Sequence, residues 1–305
     1  MNENNQELKQ PPFKNIPPVP FVFLILITVF ISYQIIGSVF AYITLGENFF
    51  DAQNINATRI VVSASQFLFL LFPVVIINML RGDNFKNGFL LNKPDRRIVI
   101  LSIIGIIAIQ PLLQLILIIQ NKIIFSLPFD PEILEAVKSF SKYLDETVTN
   151  IAMSYSVPEL ITVIFVIALT PAVCEELMFR GLILKNLSAE LKPVTAIMLT
   201  GLIFAVFHFH PFNLIPLIIL GIYISFTAFF SNSVYTAVIV HFINNLISAF
   251  SIYFFGKENP DWETISNHEL LQYGLLSVFT LAIFTGCIIF TVRFYKINKK
   301  NEQFT

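Results

Sequence analysis

Eight apolar runs follow one another along this chain: Phe21 to Leu45, Ile60 to Leu80, Ile98 to Asn121, Leu160 to Cys174, Pro193 to Phe207, Phe212 to Phe230, Val234 to Phe255 and Leu270 to Val292. None contains Asp, Glu, Lys or Arg. Backbone amides in hydrocarbon must bond within their own segment, so such runs are helices, and about 20 mostly apolar residues cross a bilayer. The spacing therefore predicts an all-α, polytopic membrane protein of about eight transmembrane helices. Residues of the polar cluster described below complete the two short runs. With 55% hydrophobic and 13% charged residues in 305 and a mean hydropathy of +0.74, composition excludes a soluble chain.

The first run lacks a small-residue cleavage site and reads as a retained membrane helix, not a removed signal peptide. PPFKNIPPVP before it reads as an extended tether. An even number of spans puts both termini on one side, and the basic residues indicate which. Arg81, Lys86, Lys93, Arg96, Arg97, Lys185, Lys192, Arg293, Lys296, Lys299 and Lys300 fall on one face. Glu47, Asp51, Glu132, Glu135, Asp145, Glu146, Glu258, Asp261 and Glu263 fall on the other. Both termini are expected to be cytoplasmic, with the chain in the cell membrane.

One connection is too long for a turn. Asp130 to Leu144 reads as an amphipathic helix on the non-cytoplasmic surface, with Asp130 as N-cap and Pro131 as first helical residue. Its apolar face is Ile133, Val137, Phe140 and Leu144; Glu132, Lys138, Lys142 and Asp145 lie opposite. Cys174 and Cys287 lie in different spans and read as small hydrophobes. With no glycine-rich phosphate loop and no basic aromatic patch, no nucleic-acid partner is expected.

Against this hydrocarbon background the ionisable residues of TPAVCEELMFRG, FAVFH and HFINN stand out. A charge at the bilayer centre costs at least about 2.5–3.5 kcal/mol, which makes an intramembrane cluster a functional-site hypothesis. Glu176 and Arg180 are four residues apart and share a helix face, so they are expected to form an ion pair. Glu175 points about 100° away and has no opposite charge on its own helix, which leaves it free to titrate. Phe204 and His208 share a face, as do His241 and Asn245. A hairpin folded at Glu190 to Pro193 would bring Glu175 beside His208, at a depth that reads as open toward the cytoplasmic side. Pro171, one turn before Glu175, is expected to open the helix there. His210 and His268 read as ordinary interfacial or loop histidines.

EELMFR fits an EExxxR motif, FAVFH an FxxxH motif and HFINN an HxxxN motif. In that order they resemble the type II CAAX prenyl protease and bacteriocin-processing family, the CPBP or Abi intramembrane proteases, over about residues 155–255. The domain reading is a cytoplasmic tail over 1–20, N-terminal helices with the surface helix over 21–154, the family-like core over 155–255, and a loop, last helix and basic tail over 256–305.

The resemblance implies an intramembrane cavity and an endopeptidase acting on a membrane-anchored peptide or lipidated protein, with the lipid bilayer as its other partner. Glu175 would be the base that activates water, His208 would help bind that water, and His241 and Asn245 would stabilise the oxyanion. Glu176 and Arg180, with Phe204, would support them. Zinc is one cofactor reading, with Glu175, His208 and His241 as ligands; a metal-free glutamate mechanism is preferred. A non-proteolytic bacteriocin-immunity or membrane scaffold protein is the alternative function. A proton-coupled transporter ranks last, because no inverted repeat with paired broken helices is seen.

Overall fold

The computed structural model describes residues 10–46, 54–256 and 265–302. Every predicted span is helical: α1 (Pro18–Leu45), α2 (Ile55–Arg81), α3 (Arg96–Phe125), α5 (Val157–Glu190), α6 (Pro193–Phe207), α7 (Pro211–Ser231), α8 (Val234–Phe255) and α9 (Asn267–Glu302). The surface helix is α4 (Pro131–Ala152). Seven of the spans are long and apolar enough to cross a membrane. The exception, α6, has 15 residues and is about 22 Å long at 1.5 Å per residue, short of the ~30 Å hydrocarbon thickness. It ends at Phe207, with the partly exposed His208 as its C-cap. The protein is an all-α integral membrane protein.

The core is built around α5. Every residue from Glu176 to Leu184 on it is buried, and Met178, Phe179 and Ile183 pack with Phe21 and Ile25 of α1, Val74 of α2 and Ile106 of α3. Large apolar side chains point outward all round the bundle, among them Ile43, Ile60, Phe72 and Val278, where lipid would cover them.

The basic residues collect at one end. Lys185 Nζ meets Asp83 at 2.9 Å, Arg97 Nη2 meets Asn298 Oδ1 at 3.1 Å, and Asn92 Nδ2 donates to Asn232 O at 3.0 Å. These contacts join the ends of α2, α5, α7 and α9 to the start of α3, as alternating spans require. Glu132, Glu135, Asp145 and Glu146 lie on α4; Glu47, Asp51, Glu258, Asp261 and Glu263 lie outside the described residues.

The structure corrects three local expectations. PPFKNIPPVP is not an extended tether. Its backbone turns, with Ile16 N donating to Phe13 O, and Phe13 N donates to Leu80 O at 3.0 Å while Arg81 Nη1 reaches Ile16 O, so prolines and the end of α2 fix the segment before α1 begins at Pro18.

Asp130 does cap α4, its Oδ1 accepting from Glu132 N at 3.0 Å, but the helix runs past Leu144 to Ala152, and on the expected apolar face Val137 and Leu144 are half-buried while the Phe140 ring lies 6.1 Å from that of Phe212. Ile133 and Phe140 are exposed whereas Ser141 is buried. The C-terminal turn is pinned instead: the fully buried Arg59 of α2 donates from Nε to Ile151 O at 2.8 Å, from Nη2 to Met153 O, and from Nη1 to Glu159 Oε1 at 2.7 Å. The guanidinium satisfies carbonyls orphaned by the helix end.

His210 is an interfacial residue with a partner. Its Nε2 lies 3.5 Å from Asp145 Oδ1, which brings the supposedly outward-facing Asp145 of α4 over the α6–α7 connection. His268 sits in the first turn of α9, not in a loop. Both cysteines are buried and free.

A buried glutamate–arginine–histidine site beside an open glutamate–histidine pair

Four π-helical stretches occur among the described residues, at Phe30–Gly37, Gln66–Leu71, Ile164–Leu169 and Leu177–Leu184. The last two flank Thr170–Glu176, the segment of α5 that carries the two glutamates, the second packs against that segment, and the first packs on the second. Such segments add a residue per turn and re-aim side chains, commonly at functional sites.

The cause on α5 is chemical. Pro171 has no N–H to give the Ile167 carbonyl four residues earlier, and Asn245 Nδ2 donates to that carbonyl at 3.1 Å. Asn245 is itself held by a chain of amides. Gln110 Nε2 of α3 donates to Asn244 Oδ1 at 3.1 Å, and Asn244 Nδ2 donates to Asn245 Oδ1 at 3.2 Å.

Glu176 and Arg180 pair as their spacing predicts, Nη1 to Oε1 at 2.7 Å, both side chains fully buried. The same Oε1 accepts from His241 Nδ1 at 2.7 Å. Arg180 also donates from Nη2 to Gly221 O at 2.9 Å and from Nε to Ser225 Oγ at 3.3 Å. Phe204 is buried at the hub: its ring centroid is 4.6 Å from the Arg180 guanidinium carbon, 4.4 Å from the His208 ring centre and 5.7 Å from that of His241. This quadrupole face favours the cation and locks its orientation.

Glu175 is placed differently. It is 14% exposed, its Oε2 has no hydrogen-bond partner, and that oxygen lies 3.8 Å from His208 Nε2. His208 Nδ1 is 2.7 Å from the Phe204 carbonyl, an acceptor only, so Nδ1 carries the proton. In the neutral ring Nε2 then presents its lone pair toward Glu175. A gap of 3.8 Å is too wide for a direct hydrogen bond and suits one bridging water.

The expected opening toward the basic end is not what the packing provides. Residues 176–184 close that side, whereas residues 242–247 of α8 beyond His241 are half-exposed and His208 caps α6 next to the connection covered by α4. Because α6 stops short, the accessible side of Glu175 faces the end opposite the basic residues.

Of the three residues considered as zinc ligands, Glu175 and His208 form one pair, and His241 belongs with Glu176. Among the described residues no three His, Cys, Asp or Glu side chains are grouped to hold a metal, and a catalytic zinc needs about three such donors. As placed, the donor set does not fit a metal.

Sequence reasoning missed Gly221, Ser225, Gln110 and Asn244. It also missed α1, where Gln34 Nε2 donates to Phe207 O at 3.1 Å beside His208, and Tyr33 lies within electrostatic reach of Glu175. The available signal was the side-chain amides Gln34, Gln66 and Gln110, each in the middle of a mostly apolar run.

Close helix contact holds Gly221 in place. A Cβ on Gly201 of α6 would sit 2.4 Å from Ile222 N, which is backbone and cannot yield. Gly201→Ala is therefore expected to push α6 from α7 and to lower stability by about 1–3 kcal/mol, read as a fall in the unfolding midpoint in detergent. An unchanged midpoint would show that the contact can relax.

The fold and site define a polytopic membrane protein with a sealed Glu–Arg–His network next to an accessible Glu–His pair. Residues 157–247, under a third of the chain, match the family described as Rce1-like: Type II CAAX prenyl endopeptidase Rce1-like. All three motifs lie within that segment, and the resemblance they suggested is borne out there. At family level the match supports a CAAX-type intramembrane endopeptidase, a hydrolase acting on membrane-anchored substrates. No curated protein and no solved structure matches the chain.

Proposed function

We propose that this protein hydrolyses a peptide bond in a membrane-anchored or lipidated protein or peptide, with Glu175 as the general base. The observation that carries this reading is the unpartnered Glu175 Oε2 opposite the lone pair of His208 Nε2 at 3.8 Å. A water that gives one hydrogen to each of these acceptors turns its own lone pairs outward. Its oxygen attacks the substrate carbonyl carbon while Glu175 takes the proton; the same proton passes to the leaving nitrogen as the C–N bond breaks.

Charge develops on the carbonyl oxygen during that attack. His241, its ring held by Glu176 at Nδ1, supplies an oxyanion donor through Nε2. Asn245, whose amide has a second N–H beside the one given to Ile167 O, supplies another. One such donor contributes about 2.7–4 kcal/mol in a water-excluded site. Glu176 and Arg180 are positioning residues. The chemistry uses protein groups alone, without zinc. The cell membrane is the proposed location with the basic end cytoplasmic, following the distribution of Lys and Arg. The accessible side of Glu175 is then reached through the bilayer or from the opposite leaflet.

The test is cleavage of a library of lipidated and membrane-anchored peptides by detergent-purified protein, with and without a strong zinc chelator. Product in both arms is expected. Product lost only with chelator would overturn the metal-free mechanism. Binding without any product would favour the immunity or scaffold function.

A further inference from the structure

Two cavities share the Phe230 ring as a wall. The first, about 520 Å³, is lined wholly by apolar and aromatic residues of α3, α6, α7 and α9, including Ile109, Met198, Ile222 and Phe284. The second, about 670 Å³, lies at the basic end among Lys93, Lys185, Ser188, Tyr295 and Lys299. On α9 the step from Phe284 to Tyr295 is eleven residues, about 16 Å, which matches the ~15 Å half-thickness of a bilayer's hydrocarbon core. An apolar groove of that length ending in a cationic pocket has the polarity profile of one phospholipid.

Two of the three lysines lining the pocket are not already spoken for. Lys185 pairs with Asp83. Asp95, the one carboxylate lining the pocket, is engaged elsewhere: Arg97 Nη2 holds it at 2.6 Å and Asn298 Nδ2 at 2.8 Å, and these hydrogen bonds, the Arg97 one foremost, keep its carboxyl well below the usual range. Lys93 and Lys299 have no carboxylate partner among the described residues. Ser188 Oγ is shielded from solvent and likewise has no hydrogen-bond partner.

We propose that the paired cavities bind one anionic phospholipid, its phosphate between Lys93, Lys299 and the Ser188 hydroxyl and one acyl chain along the groove. The bound chain lies against α6 and α7, the helices that carry Phe204 and Gly221 to Arg180, and so braces the buried network from outside. The proposal does not depend on proteolysis.

The test is native mass spectrometry of the detergent-purified full chain titrated with dioleoylphosphatidylglycerol or dioleoylphosphatidylcholine. Wild type is expected to prefer the anionic lipid. Lys93→Gln with Lys299→Gln, both at exposed positions, is expected to weaken its binding about 30-fold, the product of two lysines near a charged headgroup, and to weaken the zwitterionic lipid, whose choline offsets its phosphate, by less. Met198→Trp, which fills the groove, is expected to weaken both. Equal affinity of wild type for the two lipids, or a preference that survives the double substitution, would overturn the assignment. So would inorganic phosphate competing as tightly as the lipid, since the groove would then contribute nothing.

Discussion

Glu175→Gln is expected to lower peptide hydrolysis by about 10²–10⁴-fold, the usual contribution of a positioned general base, while leaving the unfolding midpoint unchanged or slightly raised. Glutamine keeps the shape of the side chain but cannot take a proton from water. The fold should not notice, because Oε2 has no hydrogen-bond partner and the nearest group, His208 Nε2, is 3.8 Å away. The loss should appear in kcat with KM little affected, as for an interaction made mainly in the transition state. Retained turnover in Glu175→Gln would sink the base assignment, and a collapse of stability would mean that Glu175 is a structural residue. His208→Ala should give a smaller loss of the same kind.

Arg180→Met is expected to cost about 3–5 kcal/mol of stability, the penalty for removing one partner of a buried ion pair. The guanidinium satisfies Glu176 Oε1, Gly221 O and Ser225 Oγ at once and lies against the Phe204 ring. Its removal strands the Glu176 carboxylate in the most tightly packed part of α5, with His241 alone to answer it. Combining Arg180→Met with Glu176→Gln removes the stranded charge and should recover a large part of the loss. This non-additivity separates a buried-charge penalty from lost packing. A single variant as stable as wild type in detergent unfolding would contradict the network described here. The two sets of substitutions should thus divide neighbouring glutamates by role: one lost for chemistry, the other for stability.

That division was readable before any coordinates, because adjacent helical residues point about 100° apart and residues four apart share a face. The 2.7 Å Glu176–Arg180 pair and the separate direction of Glu175 follow from that periodicity. The approach of Glu175 to His208 was legible too, from equal distances on either side of the polar turn at Glu190 to Pro193. What was not legible depended on the rotation of one helix against another. The sequence paired His241 with Asn245 but gave no sign that the Nδ1 of His241 goes to Glu176 or that Asn245 gives one N–H to Ile167 O. Neither contact leaves a mark in the spacing of residues on α8. The accessible side of the site was misread for a related reason: depth was counted from the basic loops, whereas access depends on which neighbours fill the space.

By itself the sequence determined that the chain is a bundle of about eight membrane helices, where each begins within a few residues, and which short segment concentrates the ionisable groups. Lipid imposes these answers, since an unpaired backbone or unpaired charge in hydrocarbon is too costly to place casually. Only the tertiary structure decided how α1 and α3 enter the site through Gln34 and Gln110, how Arg59 ties α2 to the end of α4, and which side of Glu175 stays open. Those outcomes are set by close packing between helices, where a glycine contact such as Gly201 on Gly221 fixes distance and rotation together, and no local periodicity encodes the pair.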